Sequence, residues 1–441
     1  MEKFIIVGGN KLKGETTVAG AKNAALKALV AACLTDEKVT IHNIPLIADV
    51  LIMIDIMKEI GASVELHGHT AIIHMHKFSQ SSIPLDKAAL VRASTLFIGP
   101  LLARTKEAKI PNPGGCRLGA RPIDRIVNGI GKMNVDISYQ SKDGYFHAKT
   151  SGLRATKYHF AKSTHTGTET MIIAAALAKG TTVLTNAAEE PEIDDTIELI
   201  NKMGGNVKRT ASREITIVGV KTLHGAEFTI SPDRIEVATF AIAALITGGD
   251  IFIKDAHKAA IEPFLEKLNQ TGACYEKTPD GMRFYANGEI KAVDVTTGIH
   301  PGFLTDWQAP WAVLMTQAHG TSIIHETVFE SKLGYIKDLQ KMGANATLFN
   351  PKVENPEDLY NFNLEDDSKE NFHAVEIKGP TPLHNAVMTT LDIRAGAAIV
   401  LAALIADGPS TIYGIEKLDR GYERFESRLE KLGAQIKRVT E

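Results

Sequence analysis

The sequence predicts an α/β protein made of six β-α-β-α-β-β units, grouped as two domains of three. Three observations carry that prediction. First, a motif of apolar residue, Gly, small residue, any residue, apolar residue recurs at the end of amphipathic segments. It reads Ile60-Gly61-Ala62-Ser63-Val64, Met203-Gly204-Gly205-Asn206-Val207, Thr271-Gly272-Ala273, Met342-Gly343-Ala344-Asn345-Ala346 and Leu432-Gly433-Ala434-Gln435-Ile436. A sixth copy, Met133-Asn134-Val135-Asp136-Ile137, has Asn for Gly; Asn is the non-glycine residue that best tolerates the left-handed conformation just past a helix. The key positions 61, 134, 204, 272, 343 and 433 lie 73, 70, 68, 71 and 90 residues apart, so one unit recurs. Second, each unit holds a very apolar helix followed by a β-branched strand. Third, the chain has 441 residues, whereas a single core rarely grows beyond about 250 to 300.

In chain order, the apolar helices are expected at 24–34, 93–103, 171–178, 238–247, 309–317 and 395–406. Their strands follow near 39–41, 108–110, 182–184, 251–253, 322–324 and 411–413. Helices apolar on all sides belong in a core. The second helix of each unit is one-sided: over 49–60, Val50, Leu51, Met53, Ile54, Met57 and Ile60 fall at helical spacing, with Lys58 and Glu59 facing out. An alternating hairpin, such as 70–76, completes the unit. The longer last interval contains 350–371, with seven acidic residues against two lysines, which reads as an exposed acidic insertion.

Composition excludes several function classes. The chain is 44% hydrophobic and 23% charged, with 49 basic and 52 acidic residues and a net charge of −3; no basic field recommends nucleic acid or an anionic membrane. The longest apolar run, 395–406, is too short for a spanning helix of about 20 residues. Three cysteines, Cys33, Cys116 and Cys274, make no disulfide framework. The first residues lack the apolar stretch of a signal peptide, so a cytoplasmic protein is expected.

Chemistry-bearing residues gather at the starts of the apolar helices: Lys22-Asn23, Arg92, Lys162-Ser163-Thr164-His165, Asp233-Arg234, Asp306 and Asp392-Ile393-Arg394. Helix N-termini favour anions. Cations there oppose the dipole; each could simply extend to solvent, but their recurrence points to a polyanion site. Asp306 is expected at a helix start, where the dipole favours its ionised form. The segment Pro113-Gly114-Gly115-Cys116-Arg117-Leu118-Gly119-Ala120-Arg121-Pro122 places a thiol between two arginines. Neighbouring cations activate a thiol; composition alone leaves a reactive cysteine and an ordinary surface thiol both open. His67, His69, His74 and His76 share a hairpin that reads as exposed, so no metal site is expected. The acidic run 189–195 reads as a helix N-terminus.

The six units, Gly20-Ala21-Lys22-Asn23 and the cysteine loop together resemble the UDP-N-acetylglucosamine 1-carboxyvinyltransferase family. Further matching stretches include Arg92-Ala93-Ser94, Glu190-Pro191-Glu192-Ile193, Pro232-Asp233-Arg234-Ile235-Glu236, Thr305-Asp306, Phe329-Glu330, Asp392-Ile393-Arg394-Ala395 and Asp419-Arg420-Gly421-Tyr422. The resemblance covers nearly the whole chain except the acidic insertion. It implies two inside-out α/β barrels: residues 1–21 plus 231–441, and residues 22–230 carrying the cysteine loop 112–122. It implies addition of a sugar 3-hydroxyl to phosphoenolpyruvate and loss of phosphate, without cofactor or metal. The expected partners are phosphoenolpyruvate and UDP-N-acetylglucosamine, with neither nucleic acid nor membrane. The expected setting is peptidoglycan precursor synthesis, hence cell wall, shape and division, with sensitivity to fosfomycin.

By the same resemblance, Cys116, Asp306, Lys22 and Arg420 are catalytic. Lys22, Asn23, Arg121, Cys116 and Arg420 would bind phosphoenolpyruvate. Arg92, Arg121, Pro122, Ile123, Asp124, Arg125, Lys162, Ser163, Thr164, His165, Asp306 and Val328 would bind the UDP-sugar, supported by Asp233, Glu330, Asp392 and Arg394. Three departures stand out. Ser331-Lys332 replaces the family's usual Asn-Arg, Thr164–Glu169 replaces Ser-Val-Gly-Ala-Thr-Glu, and Arg125 stands where an apolar residue is common. They leave open a paralogue acting on another UDP-sugar, or a catalytically weak UDP-sugar-binding regulator.

Overall fold

Each glycine of the recurring motif ends its helix with positive φ: 113° at Gly61, 91° at Gly204, 79° at Gly272, 94° at Gly343 and 104° at Gly433. Asn134 takes the same role at 65°, and its side-chain amide donates to the Gly152 carbonyl at 3.0 Å. Five of these turns send the chain from a helix into an antiparallel hairpin, and the sixth, at Gly433, into a strand that pairs with Glu2–Val7.

The computed structural model describes residues 2–112 and 123–440. They form two units, residues 2–19 with 232–440, and residues 20–112 with 123–231. Each unit has its own apolar core and three sheets. One pattern repeats: a parallel pair, then two antiparallel neighbours. Ala226–Thr229 runs parallel to Lys38–His42, which pairs antiparallel with Thr70–His74 and through it with Ser63–His67. Lys157–His159, Thr181–Thr185, Glu214–Val218 and Val207–Ala211 repeat that order. In the third sheet of this unit, Glu107–Pro111, Tyr145–Thr150 and Val135–Gln140 remain, and the parallel neighbour shrinks to a single bridge from Ser82 to Lys109.

The other unit follows the same plan. Lys13–Thr17 runs parallel to Asp250–Lys254, followed across the sheet by Gly281–Tyr285 and Cys274–Thr278. Val295–Thr296, Gly320–His325, Ala374–Gly379 and Asn345–Phe349 form the next sheet. In the last, Val387–Thr389 and Pro409–Tyr413 are joined by Glu2–Val7 and Gln435–Thr440.

Parallel neighbours need a crossover. Buried apolar helices supply it between Lys157–His159 and Thr181–Thr185, Val295–Thr296 and Gly320–His325, and Val387–Thr389 and Pro409–Tyr413. Lys22–Ala31 buries every residue except Asn23. Gln308–Thr316 is buried throughout, and Ile393–Ile405 is buried up to Leu404. Strands such as Thr181–Thr185 alternate buried and exposed positions. Each unit therefore has helices inside and sheets outside. No helix among the described residues is long and apolar enough to cross a membrane.

Two expectations need correction. Leu51, expected inward, is 42% exposed, and Ile56 is buried instead; the helix runs Ala48–Glu59 and its buried stripe is set by Val50, Met53, Ile54, Ile56 and Met57. The acidic insertion is not wholly exposed. Glu354, Glu357 and Asp358 face solvent, but Tyr360 and Phe362 are buried, as is His373 just beyond the insertion. The Tyr360 and Phe362 rings stack at 4.9 Å, and the Asn361 N–H donates to the Thr327 carbonyl at 2.8 Å. Aromatic burial outweighs the polar composition there.

Candidate active site

In the unit of residues 20–112 and 123–231, Lys22 is the first residue of its helix. Its ammonium is almost buried, 2.7 Å from Asp49 Oδ2. Asp49 lies in the first turn of Ala48–Glu59, so its carboxylate offsets the lysine's unfavourable place at a helix start. Asn23 follows, partly exposed. Arg92 opens the short helix Arg92–Phe97, where its carbonyl accepts from the Thr95 hydroxyl at 3.0 Å. Ile123 is buried, just ahead of Asp124–Gly131, and Asp124 is exposed.

The Arg125 guanidinium donates to the Ser163 carbonyl at 3.3 Å, and the Ser163 hydroxyl accepts from Arg213 at 3.4 Å. Lys162 is partly buried beside it. Thr164 caps His165–Ala175, its hydroxyl oxygen accepting from the Gly167 N–H at 3.2 Å. His165 Nε2 lies 3.5 Å from Glu169 Oε1. Glu169 is fully buried, with Lys27 at 3.1 Å and the Thr196 hydroxyl at 3.2 Å. Burial and Lys27 disfavour imidazolium at His165, but Glu169 and Glu190 outweigh them and its pKa is raised.

In the unit of residues 2–19 and 232–440, Asp306 stands just ahead of the helix Gln308–Thr316, which no side chain caps. Cations also face its carboxylate. Lys332, itself buried, donates to Asp306 Oδ1 at 2.7 Å, and Arg394 Nε lies 3.9 Å from Oδ2. Arg394 also faces Asp233 at 4.0 Å and lies over the Tyr422 ring at 5.0 Å. Burial disfavours the charged guanidinium, but Tyr422, Asp233 and Asp306 outweigh it, so the Arg394 pKa moves upward.

Asp392 and Asp233 are true helix caps. Asp392 accepts from the Arg394 and Ala395 N–H groups at 2.9 and 3.0 Å, and Asp233 from those of Ile235 and Glu236 at 2.8 and 3.3 Å. Glu326 is a buried hub: it accepts from the Thr305 hydroxyl at 2.8 Å and from the N–H groups of Val328 and Phe329 at 2.8 and 3.0 Å. Glu330 is buried, and Arg420 ends the short helix Ile415–Arg420, partly exposed.

Within the first unit, the structure thus brings Arg125 to Ser163. Within the second, it brings Asp306, Arg394 and Asp233 together. Cys116, Arg121 and Pro122 lie outside the described residues. Sequence reasoning gave no role to Asp49, Lys27, Glu169, Arg213 or Glu326; the i, i+4 spacing of His165 and Glu169 was the one local signal. Among the described residues, no group of three or more His, Cys, Asp or Glu side chains is placed to hold a metal ion. Cys33 is buried, and desolvation pushes its thiol up to about 12.

In one unit, a carboxylate against two cations can take a hydroxyl proton; in the other, the start of His165–Ala175 can attract phosphate. The comparisons give the class. The model of the family described as EPSP synthase (3-phosphoshikimate 1-carboxyvinyltransferase) matches residues 6–429. Among solved structures, the enolpyruvyl transferase NikO from Streptomyces tendae shares the fold with a TM-score of 0.85 at 22% identity, covering 100% of this chain and 99% of that one. EPSP synthase from Acinetobacter baumannii has a TM-score of 0.74 at 20% identity, with full coverage of both. The curated relatives narrow it. The UDP-N-acetylglucosamine 1-carboxyvinyltransferase of Acidobacterium capsulatum is 40% identical over 100% of this chain and 96% of its own length. That of Desulfatibacillum aliphaticivorans is 39% identical, with full coverage of both. The chain belongs to the UDP-N-acetylglucosamine 1-carboxyvinyltransferase family, and it is an enolpyruvyl transferase.

Proposed function

We propose that the chain transfers the enolpyruvyl group of phosphoenolpyruvate to the 3-hydroxyl of UDP-N-acetylglucosamine, in the cytoplasm, for peptidoglycan precursor synthesis and thus cell-wall growth, shape and division. The observation that carries this reading is the Asp306 carboxylate, bonded to Lys332 and facing Arg394, in a chain matched end to end by carboxyvinyltransferases. In the addition step, Asp306 accepts the hydroxyl proton as the oxygen bonds to C2, and Cys116 gives a proton to C3. In the elimination step, the C2–O bond to phosphate breaks and C3 loses a proton, restoring the double bond. Lys22, Asn23, Arg121 and Arg420 hold phosphoenolpyruvate; its phosphate and carboxylate call for several cations. Arg92, Pro122, Ile123, Asp124, Arg125, Lys162, Ser163, Thr164, His165 and Val328 receive the UDP-sugar. Thr164 and His165 open an eleven-residue helix, whose N-terminus attracts phosphate. Residues 1–21 plus 231–441, and 22–230, are taken as the two transferase domains.

Phosphate release from phosphoenolpyruvate, assayed with UDP-N-acetylglucosamine and other UDP-sugars, with and without fosfomycin, tests the reading. The expected result is fosfomycin-sensitive release that is fastest with UDP-N-acetylglucosamine. Faster release with another UDP-sugar would reassign the acceptor, and no release with any would leave a binding protein. Asp306→Asn is expected to lower kcat by about 10² to 10⁴ while calorimetric affinity for the UDP-sugar stays within a few-fold. A kcat near that of the parent would remove Asp306 from the role of base.

A further inference from the structure

We propose that Lys332 is a positioning residue for Asp306, holding the carboxylate ionised and oriented for proton transfer. The inference rests on the reading of Asp306 as the base. Among the described residues, two cations that face Asp306 differ in distance: Lys332 Nζ lies at 2.7 Å, within hydrogen-bond reach, and Arg394 Nε at 3.9 Å. The two side chains differ in setting. Lys332 is 3% exposed and Asp306 25%, so the ammonium is fixed inside while the carboxylate reaches toward solvent and substrate.

The loop that delivers Lys332 is pinned. The Thr327 N–H donates to Thr297 Oγ1 at 2.8 Å, the Thr327 hydroxyl to the Thr297 carbonyl at 2.7 Å, and the Asn361 N–H to the Thr327 carbonyl at 2.8 Å. Glu326 holds the next two N–H groups, and the ammonium lies 4.8 Å from the Phe329 ring centroid. A buried ammonium costs several kcal/mol of desolvation unless it is paired. Here Asp306 pairs with it directly; Glu326 is a second carboxyl near the ammonium, though burial raises its pKa and Lys332 only partly opposes that. Arg394 beside Asp306 also interacts with Asp233 and Tyr422, and Tyr335 interacts with Glu326 and Asp392. Arg394 is shared with Asp233 and Tyr422, so it cannot fix Asp306 as Lys332 does.

The test compares Lys332→Met, which keeps the length without the charge, and Lys332→Arg, which restores it, in the full chain. Readouts are kcat, the two KM values and the pH dependence of turnover with phosphoenolpyruvate and UDP-N-acetylglucosamine. Removing the cation disfavours the ionised carboxylate, so the loss in Lys332→Met should deepen as pH falls. Expected is a kcat lower by roughly thirtyfold at neutral pH with both KM values nearly unchanged, and substantial recovery in Lys332→Arg. A Lys332→Met enzyme with near-parental kcat at all pH values, or a Lys332→Arg enzyme as slow as it, overturns the proposal. Circular dichroism checks folding; should Lys332→Met not fold, Lys332→Gln is read by the same criteria. Asp306→Asn separates the two readings. If it is as active as the parent, the base assignment fails; if it is inactive while Lys332→Met is fast, only the role of Lys332 fails.

Discussion

Asp195 is a carboxylate held at a cost. Its Oδ2 accepts from the Ser231 hydroxyl at 2.7 Å and the Ser231 N–H at 3.1 Å, yet desolvation, with Glu192 and Glu198 nearby, pushes its pKa from 3.8 to about 6. The folded state therefore holds a proton that the unfolded chain has lost across that window. The stability this contributes is full below about pH 4 and is lost as pH rises through about 6. Asp195→Asn keeps an acceptor for Ser231 without the charge. It is expected to be more stable than the parent at pH 8, by about 1 to 3 kcal/mol, and nearly equal at pH 4. Urea unfolding at both pH values checks this; equal stability at pH 8 would count against a strained carboxylate. From its neighbours, Asp195 reads as part of a helix start, because its partner is 36 residues away. Asp306 likewise stands just ahead of a helix, while its hydrogen-bond partner Lys332 lies 26 residues on. Arg104 is a third case, its guanidinium donating to the Cys33, Thr35, Met75 and His76 carbonyls at 2.7 to 3.0 Å. Local pattern reveals a charge's position and not its distant partner.

At the scale of elements, the repeat was legible because its constraints are local. A helix that must turn into a hairpin needs positive φ, and only Gly or Asn provides it at low cost. The same logic made the buried helices readable from their all-round apolar character. Strand partners were harder: Ala226–Thr229 joins Lys38–His42 far back in the chain, and no period announces that. Burial of Tyr360 and Phe362 in the insertion was likewise hidden by its acidic composition. The equivalent glycines are not energetically equal. At Gly433, an added Cβ would approach nothing nearer than the Lys11 carbonyl at 3.7 Å; at Gly61, it would lie 2.6 Å from the Lys77 carbonyl and 2.9 Å from the Ser79 N. Gly433→Ala should therefore cost only the conformational penalty of positive φ, about 1 to 2 kcal/mol. Gly61→Ala adds a backbone collision and should cost about 3 kcal/mol or more. Denaturant midpoints of the two variants decide; equal losses would mean that the second chain segment yields freely.

At the scale of the molecule, the chain's first residues complete its last repeat. Glu2–Val7 lies between Pro409–Tyr413 and Gln435–Thr440, paired antiparallel to both. It supplies the fourth strand that the sixth repeat lacks in sequence order, then Lys13–Thr17 joins the sheet of the fourth repeat, beside Asp250–Lys254. Such pairings across the length of the chain carry a large loop-closure cost before they return any contact, so they need strong local anchors. Phe4 and Ile6 are fully buried, and the Arg438 guanidinium covers the Phe4 ring at 5.1 Å while it bonds to Asp419, Glu426 and Glu2. The apolar anchor should dominate, because Glu2 is 45% exposed and a surface ion pair contributes at most about 1 kcal/mol. Phe4→Ala is expected to destabilise the protein by about 3 to 5 kcal/mol, the usual range for emptying a buried aromatic site. Glu2→Gln should remain within about 0.5 kcal/mol of the parent. Hydrogen exchange should then show protection lost in Phe4→Ala, but not Glu2→Gln, along 409–413 and 435–440. Retained protection at both strands in Phe4→Ala would mean that they hold together without the strand between them, and that the pairing across the chain is not what closes this sheet.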